Sequence, residues 1–165
     1  MLDESPEALT LRAVARAAGV SAMAPYRHFA DKAALMGAVK QEGFERLRLV
    51  LSDADATAED GEALVRQGFA YLDFAFANPA LFRLMFSAPE PELYVPDGEA
   101  DTAYGVLARR VARLAPDAPG TATTAAWSIV HGLTTLTLDG RLPRGDAHAR
   151  GVLELFVAGL AARRC

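Results

Sequence analysis

The chain has 165 residues, of which 52% are apolar, and a formal net charge of −4. This length suffices for a buried core, and the negative charge argues against a protein that binds nucleic acid through a generally basic surface. No apolar run reaches the roughly eighteen residues of a membrane-spanning helix, and the N-terminus lacks a basic-then-apolar secretion signal. With Cys165 as its only cysteine, the chain has no intrachain disulfide and no cysteine-based zinc site. We therefore expect a soluble, cytoplasmic protein.

Charge is distributed unevenly along the chain. Residues 10–48 contain seven basic and three acidic side chains, whereas residues 49–165 contain ten basic and fifteen acidic ones. A basic N-terminal part and an acidic remainder would orient the molecule on DNA and keep the acidic part away from the phosphates. Chance fluctuation of a charged surface is the alternative explanation.

The first recognisable motif is a helix-turn-helix at residues 9–35, LTLRAVARAAGVSAMAPYRHFADKAAL. Thr10 is placed to cap a short helix, and the apolar face of that helix comprises Leu11, Val14, Ala15 and Ala18. Gly19 follows where a left-handed residue would reverse the chain. Ser21 is predicted to begin the second helix and Asp31 to cap the third. An ordinary three-helix packing unit with solvated polar groups is the alternative.

The second helix is expected to turn its polar side chains outward. Ser21, Tyr26 and His28, with Lys32 from the next helix, are placed to surround a DNA phosphate near a helix N-terminus. Because Pro25 cannot donate to the carbonyl of Ser21, the first turn of this helix should tighten or bend.

The runs TLRAVARAAGVS and YRHFADKAAL resemble the DNA-binding signature of the tetracycline-repressor (TetR) family of transcriptional regulators, over residues 9–48. The resemblance implies that Thr10 and Arg12 meet the DNA backbone. It implies that the residues approaching base edges are Ser21, Ala22, Met23 and Pro25. It also implies that the residues holding phosphates are Tyr26, His28 and Lys32.

The N-terminal nine residues depart from the family pattern, which normally has a full helix before the position of Thr10. The segment MLDESPEAL is acidic and contains Pro6, so it does not supply three or four turns of amphipathic helix. We therefore expect a helix-turn-helix domain truncated at its N-terminus. Either the chain begins at a downstream methionine of a longer protein, or the domain is trimmed and exposes apolar surface.

Beyond this segment the pattern is one helix after another without strand alternation, so the expected fold is all-α. We expect a DNA-binding domain at residues 1–48 and a helical ligand-binding and dimerisation domain at residues 49–165. A long helix from Asp31 past Leu51 should join them and end within residues 52–60. Further helices are predicted at about residues 62–77, 79–86, 101–114, 121–138 and 146–164, with a loop at residues 87–98.

The last two predicted helices carry more apolar surface than one side of a small body requires. The residues concerned are Ala122, Ala125, Ala126, Ile129, Leu133, Ala149, Val152, Leu153, Phe156 and Leu160. We infer a two-fold, four-helix homodimer interface, which would present two recognition helices about 34 to 36 Å apart. Burial of both helices within one chain is the alternative.

Trp127, His131 and Gly132 resemble the Trp-His-Gly type of C-terminal effector domain that some TetR regulators share, over about residues 60–160. A histidine in an apolar cavity offers a ligand one donor and one acceptor, although a structural histidine is an equal alternative. The candidate ligand-binding residues are Tyr71, Phe74, Phe82, Met85, Phe86, Tyr104, Trp127 and His131. Most aromatic residues of such a body are ordinary core.

Together these patterns predict a DNA-binding transcriptional regulator, a repressor that a small apolar or aromatic effector releases from double-stranded operator DNA. The histidines and carboxylates lack the spacing of a metal site or an acid–base pair, so we predict no catalytic residue, metal or cofactor. The alternative is a helical, dimeric ligand-binding module that has lost DNA binding with its first helix.

Overall fold

The computed structural model describes residues 10–87 and 101–162, which form seven α-helices, one short 3-10 helix and no strand. The α-helices are α1 (Leu11–Ala17), α2 (Lys32–Ala56), α3 (Asp60–Ala77), α4 (Pro79–Met85), α5 (Ala103–Leu114), α6 (Pro119–Leu138) and α7 (Asp146–Ala162), and the 3-10 helix is Pro25–Arg27. The predicted all-α class is confirmed. The expectations for residues 1–9, for most of the predicted loop and for the end of the last helix lie outside the described residues.

The chain divides into two compact units, residues 1–43 and residues 44–165, which we call the head and the body. The division falls within α2. The domain boundary that we place between residues 48 and 49 lies in the same helix and stays a prediction.

Helix α1 begins at its predicted cap, because the Thr10 hydroxyl accepts a hydrogen bond from the Ala13 N–H at 3.1 Å. Leu11 and Ala15 are buried, Val14 is partly buried and Ala18 is exposed, so the apolar face is shorter than predicted. Gly19 has a φ of +69°, the left-handed conformation that reverses the chain after the helix.

The second helix of the motif differs from the prediction, since no α-helix begins at Ser21. The carbonyl of Ser21 accepts from the Ala24 N–H at 2.9 Å, which closes a tight turn, and only the 3-10 helix follows. Proline explains the difference, because Pro25 has no N–H for the next helical bond and its ring crowds the preceding turn. The predicted tightening of the first turn therefore extends over the whole predicted helix, and only the 3-10 helix forms.

Helix α2 is capped as predicted, because the Asp31 carboxylate accepts from the Ala34 N–H at 2.8 Å. The helix continues to Ala56, into the segment where we predict its end. Its alanines and aspartates at residues 53–56 tolerate helical geometry. The chain leaves the helix where the Thr57 hydroxyl donates to the Ala54 carbonyl at 2.8 Å.

Helix α3 is the central element of the body, since it contacts α4, α5, α6 and α7. Helical spacing in the sequence predicts one apolar face, which comprises Leu64, Gly68, Tyr71, Leu72, Ala75 and Phe76. All of these residues are buried except Phe76, which is partly buried. A Cβ on Gly68 would lie 2.7 Å from Leu153 Cδ1, so glycine permits a close approach of α3 and α7. None of the described helices is long and apolar enough to cross a membrane.

Candidate functional site

The head exposes most of the side chains that we assign to DNA. Thr10, Arg12, Ser21, Ala22, Met23, Tyr26 and His28 are exposed, whereas Pro25 and Lys32 are partly buried. Met23 is 61% exposed and Tyr26 is 44% exposed. This exposure makes them available to a partner, and their individual roles stay predictions.

One part of the expected phosphate site needs correction. We expect the N–H groups at the start of a second helix to take part, but residues 21–24 form a turn and not a helix end. A helix dipole therefore does not act at Ser21. The predicted contacts from this segment to DNA would therefore rest on the exposed side chains and on turn N–H groups.

In the body, six of the eight predicted ligand-binding residues form one aromatic cluster, which comprises Tyr71, Phe82, Phe86, Tyr104, Trp127 and His131. The His131 ring lies at its centre, with centroid distances of 4.6 Å to Phe86 and 5.5 Å to Phe82. The Trp127 ring connects His131 with Tyr104, since its centroid lies 6.3 Å from that of His131 and 6.0 Å from that of Tyr104. Residues from α3, α4 and α6 therefore meet around one imidazole, and Tyr104 of α5 packs on Trp127 beside it.

The polar centre of the cluster is a hydrogen bond of 2.8 Å between the Tyr71 hydroxyl and His131 Nδ1. Tyr71 is only 4% exposed. Burial raises the pKa of Tyr71 well above its usual value, although a hydrogen bond with the Trp127 indole lowers this pKa. Burial also lowers the pKa of His131. Both rings are therefore neutral at neutral pH.

The two remaining candidates, Phe74 and Met85, belong to the same buried core as Tyr71 and Phe82. Phe74 is buried in the core and faces the Arg46 guanidinium, 6.0 Å from its ring centroid. Met85 is buried in the same core. Neither has a described contact with the His131 ring, and a role for either in ligand binding stays a prediction.

Phe44 of α2 contacts the aromatic cluster, and we do not predict this contact from the sequence. Its ring packs edge to face on Phe86, with the centroids 5.4 Å apart. Phe44 precedes Leu47 and Leu51 at helical spacing, and both of those side chains are buried in the core. This periodicity is the signal that could have found Phe44. The aromatic cluster thus includes a contact with the helix that also runs through residues 32–43.

A buried ionic network joins α2, α3 and α5, and the sequence pattern does not predict it. Asp55, near the end of α2, accepts from Arg110 Nε of α5 at 2.7 Å and from Gln67 Nε2 of α3 at 2.6 Å. Burial raises the pKa of Asp55, but the hydrogen bonds from Arg110 and Gln67 outweigh it and leave the pKa below its usual value. The network fixes the end of α2 to the central helix and to α5.

The apolar residues of α6 and α7 lie in two environments, since some are buried within the chain and others are exposed. Five of the ten residues that we assign to a dimer interface are buried within the chain, and these are Ala122, Ala126, Leu133, Leu153 and Leu160. Burial in one chain is therefore the correct alternative for half of the set. On the outer surface, Leu136 of α6 is exposed and Leu155 of α7 is 76% exposed.

The head places α1, the Gly19 turn and a 3-10 helix before α2, which is the order of a helix-turn-helix domain with a shortened second helix, and the body is helical with an aromatic centre. This arrangement is typical of the helix-turn-helix class of proteins. Residues 2–39 match the family described as bacterial regulatory proteins, tetR family, and residues 64–160 match the tetracyclin repressor-like C-terminal domain. The chain belongs to the TetR family, whose domains imply DNA-binding transcription regulation. The Trp-His-Gly subtype stays a prediction.

A solved structure supports the same architecture. It is a protein with unknown function from Rhodococcus sp. RHA1, with 27% sequence identity and a TM-score of 0.76. The similarity covers 98% of this chain and 87% of that chain. No curated protein matches the chain in sequence.

Proposed function

We propose that the protein is a repressor that binds double-stranded operator DNA as a homodimer and leaves it when a small apolar or aromatic molecule occupies the body. The observation that carries this proposal is the contact between Phe44 and Phe86. Through it, a change in the aromatic cluster acts on α2, a helix that contains residues of both units.

The head supplies the DNA contacts in this proposal. Tyr26 and His28 contact the sugar-phosphate backbone together with Thr10, Arg12 and Lys32, while Ser21, Ala22, Met23 and Pro25 lie toward the bases. Backbone contacts act on all sequences alike, whereas base contacts distinguish sequences. The exposure of Met23 and Tyr26 supports this assignment.

Binding to DNA from upstream of the protein's own gene tests the head, with fluorescence anisotropy at several salt concentrations. Tyr26→Ala and His28→Ala should each weaken binding about tenfold on every sequence and reduce the salt dependence. Leu49→Ala, an exposed position on α2, is the matched control and should bind normally. Unchanged isotherms for both head variants would reject the phosphate role, and no binding by the wild-type chain would favour the ligand-binding module.

The ligand is proposed to bind among Tyr71, Phe82, Phe86, Tyr104, Trp127 and His131. A ligand releases DNA only to the extent that it binds the released form more tightly, and a hundredfold preference corresponds to about 2.7 kcal/mol. Partial exposure of Phe86, Tyr104, Trp127 and His131 supports access to this cluster. Since Trp127 is the only tryptophan, its indole N–H resonance reports occupancy directly.

Phe44→Ala tests the coupling between the cluster and α2. The probes are acetophenone and ethylbenzene. A probe that acts as an effector should shift the Trp127 resonance of the wild-type protein. The same probe should lower the affinity of the wild-type protein for DNA. In Phe44→Ala the resonance should still shift while DNA affinity stays constant. Leu49→Ala should behave as wild type. Equal DNA release in wild type and Phe44→Ala would reject this route of coupling.

The dimer is proposed to form through the outer faces of α6 and α7, where Leu136 and Leu155 are exposed. Leu155→Glu should convert the dimer to monomers in sedimentation velocity, because a carboxylate would be buried at the two-fold interface. Leu49→Glu, on α2, is the control and should leave the dimer intact. A dimer that survives Leu155→Glu and Leu136→Glu would place the interface elsewhere.

A further inference from the structure

The hydrogen bond between Tyr71 and His131 fixes which imidazole nitrogen carries the proton. A neutral imidazole has one donor and one acceptor nitrogen, and a phenol has one hydrogen to donate. The indole of Trp127, which also acts on the Tyr71 hydroxyl, can only donate and therefore cannot accept the phenol hydrogen. Among the described residues, the remaining acceptor for that hydrogen is His131 Nδ1, at 2.8 Å. Nδ1 is therefore unprotonated and Nε2 carries the proton.

The Nε2–H group is left without an intramolecular partner in the part of the chain that the structure describes, because the only hydrogen bond of His131 there is the one at Nδ1. The side chain is half-buried and sits among the rings of Phe82, Phe86 and Trp127. A partly buried donor among aromatic rings can donate to an acceptor on a molecule that binds there.

None of the described ion pairs and cation–ring contacts of the arginines involves a residue of the aromatic cluster. Their ion pairs and ring contacts involve Phe69, Phe74 and Phe76 and the carboxylates of the body. An anionic ligand would lose its hydration here without gaining a described cationic partner, at a high cost. The site therefore favours an uncharged molecule.

We infer that the aromatic cluster selects a neutral, largely aromatic molecule that carries a carbonyl or ether oxygen, and that this oxygen accepts a hydrogen bond from His131 Nε2–H. The inference rests on the proposed ligand site. Tyr71 acts as a positioning residue, because it holds the imidazole in the tautomer that presents a donor.

The tautomer can be measured without any ligand, from the ¹⁵N chemical shifts of the His131 ring in the full chain. The wild-type spectrum should show Nδ1 unprotonated and Nε2 protonated at pH values above the histidine pKa. Tyr71→Phe should give a mixture of tautomers, whereas Tyr104→Phe, which alters a tyrosine without a described hydrogen bond to His131, should leave the wild-type pattern. A proton on Nδ1 in the wild-type protein would overturn the inference while leaving the ligand site intact.

Three probes of similar size test the ligand class by calorimetry, with the Trp127 indole resonance as the reporter of position. Acetophenone should bind about tenfold more tightly than ethylbenzene, the gain expected from one buried hydrogen bond. Benzoate should bind more weakly than acetophenone. In His131→Phe the preference for acetophenone over ethylbenzene should disappear, while ethylbenzene should still shift the Trp127 resonance.

Two contrary outcomes are distinguishable. Equal affinities of acetophenone and ethylbenzene, with both shifting the Trp127 resonance, would overturn the acceptor requirement and leave the ligand site standing. No shift of the Trp127 resonance by either probe would overturn the proposed ligand site and the inference together.

Discussion

In the body, aromatic side chains pack against one another around His131, whereas in the described part of the head three large apolar side chains lie exposed. The exposed residues are Val20, Met23 and Tyr26. Tyr71 and Phe82, in contrast, are 4% and 3% exposed. The body also exposes Leu49, Leu136 and Leu155, so the contrast concerns the aromatic side chains. Those of the body pack around His131, whereas Tyr26 of the head is exposed. Substitutions should therefore change stability in the body and binding in the head.

The largest effect is expected for Phe82→Ala. Phe82 packs on Tyr71, with ring centroids 5.6 Å apart, and on Phe86 at 4.9 Å. Removing its ring should lower the free energy of unfolding by about 3 to 5 kcal/mol, because buried area is lost and a cavity remains. Urea denaturation followed by circular dichroism measures this change. A loss below 1 kcal/mol would mean that the aromatic cluster is loosely packed and that the contrast with the head is weaker than stated.

Asp55→Asn should cost about 2 kcal/mol, because Arg110 is only 6% exposed and would lose its hydrogen-bonded counter-ion, although Asp60 and Glu59 also act on its charge. The control is Glu62→Gln, which removes exposed ion pairs with Arg66 and Arg150 and should cost less than about 0.5 kcal/mol. Urea denaturation at pH 7 compares the two variants. Equal losses would show that burial of the Asp55 network does not matter to stability.

The same network predicts a pH dependence. Since the pKa of Asp55 is lower in the folded state, its stabilising contribution is fully present above the unfolded pKa of about 3.9 and is lost as the pH falls through the folded value. The stability of wild type should therefore decrease in acid more steeply than that of Asp55→Asn. Denaturation curves between pH 6 and pH 3 measure the difference, and parallel curves would contradict the assigned pKa direction.

A smaller effect should separate two glycines of the body. Gly68→Ala brings a methyl group against Leu153, so about 1 kcal/mol should be lost after the gain in helix propensity is counted. Gly132→Ala meets no atom within 4 Å and should gain about 0.5 to 1 kcal/mol. Thermal unfolding of both variants measures the sign. A gain in both would show that α3 and α7 can separate without cost.

Local features of the fold are predictable from sequence because they depend on neighbouring residues. The caps at Thr10 and Asp31 and the buried face of α3 follow from spacing alone. The second helix is mispredicted because a family resemblance outweighs the local effect of Pro25. Here the proline is the stronger physical signal.

The candidate site is predictable in composition but not in geometry. Aromatic residues and a histidine indicate a ligand site, yet the Tyr71 to His131 bond joins residues 60 positions apart. The Asp55 to Arg110 pair spans 55 positions. Contacts of this kind depend on how helices pack, which helical periodicity does not determine. The same limit explains why Phe74 is grouped with the cluster although it faces Arg46.

The smallest effect on stability is expected in the head, where Met23→Ala should change the free energy of unfolding by less than about 0.5 kcal/mol, because the side chain is 61% exposed. The same substitution should change which DNA sequences bind best, since Met23 is placed toward the bases. Competition binding with randomised operator DNA measures this preference. A loss of stability above 1 kcal/mol would show that Met23 packs within the protein. An unchanged preference would remove Met23 from the base contacts and leave recognition to Ser21, Ala22 and Pro25.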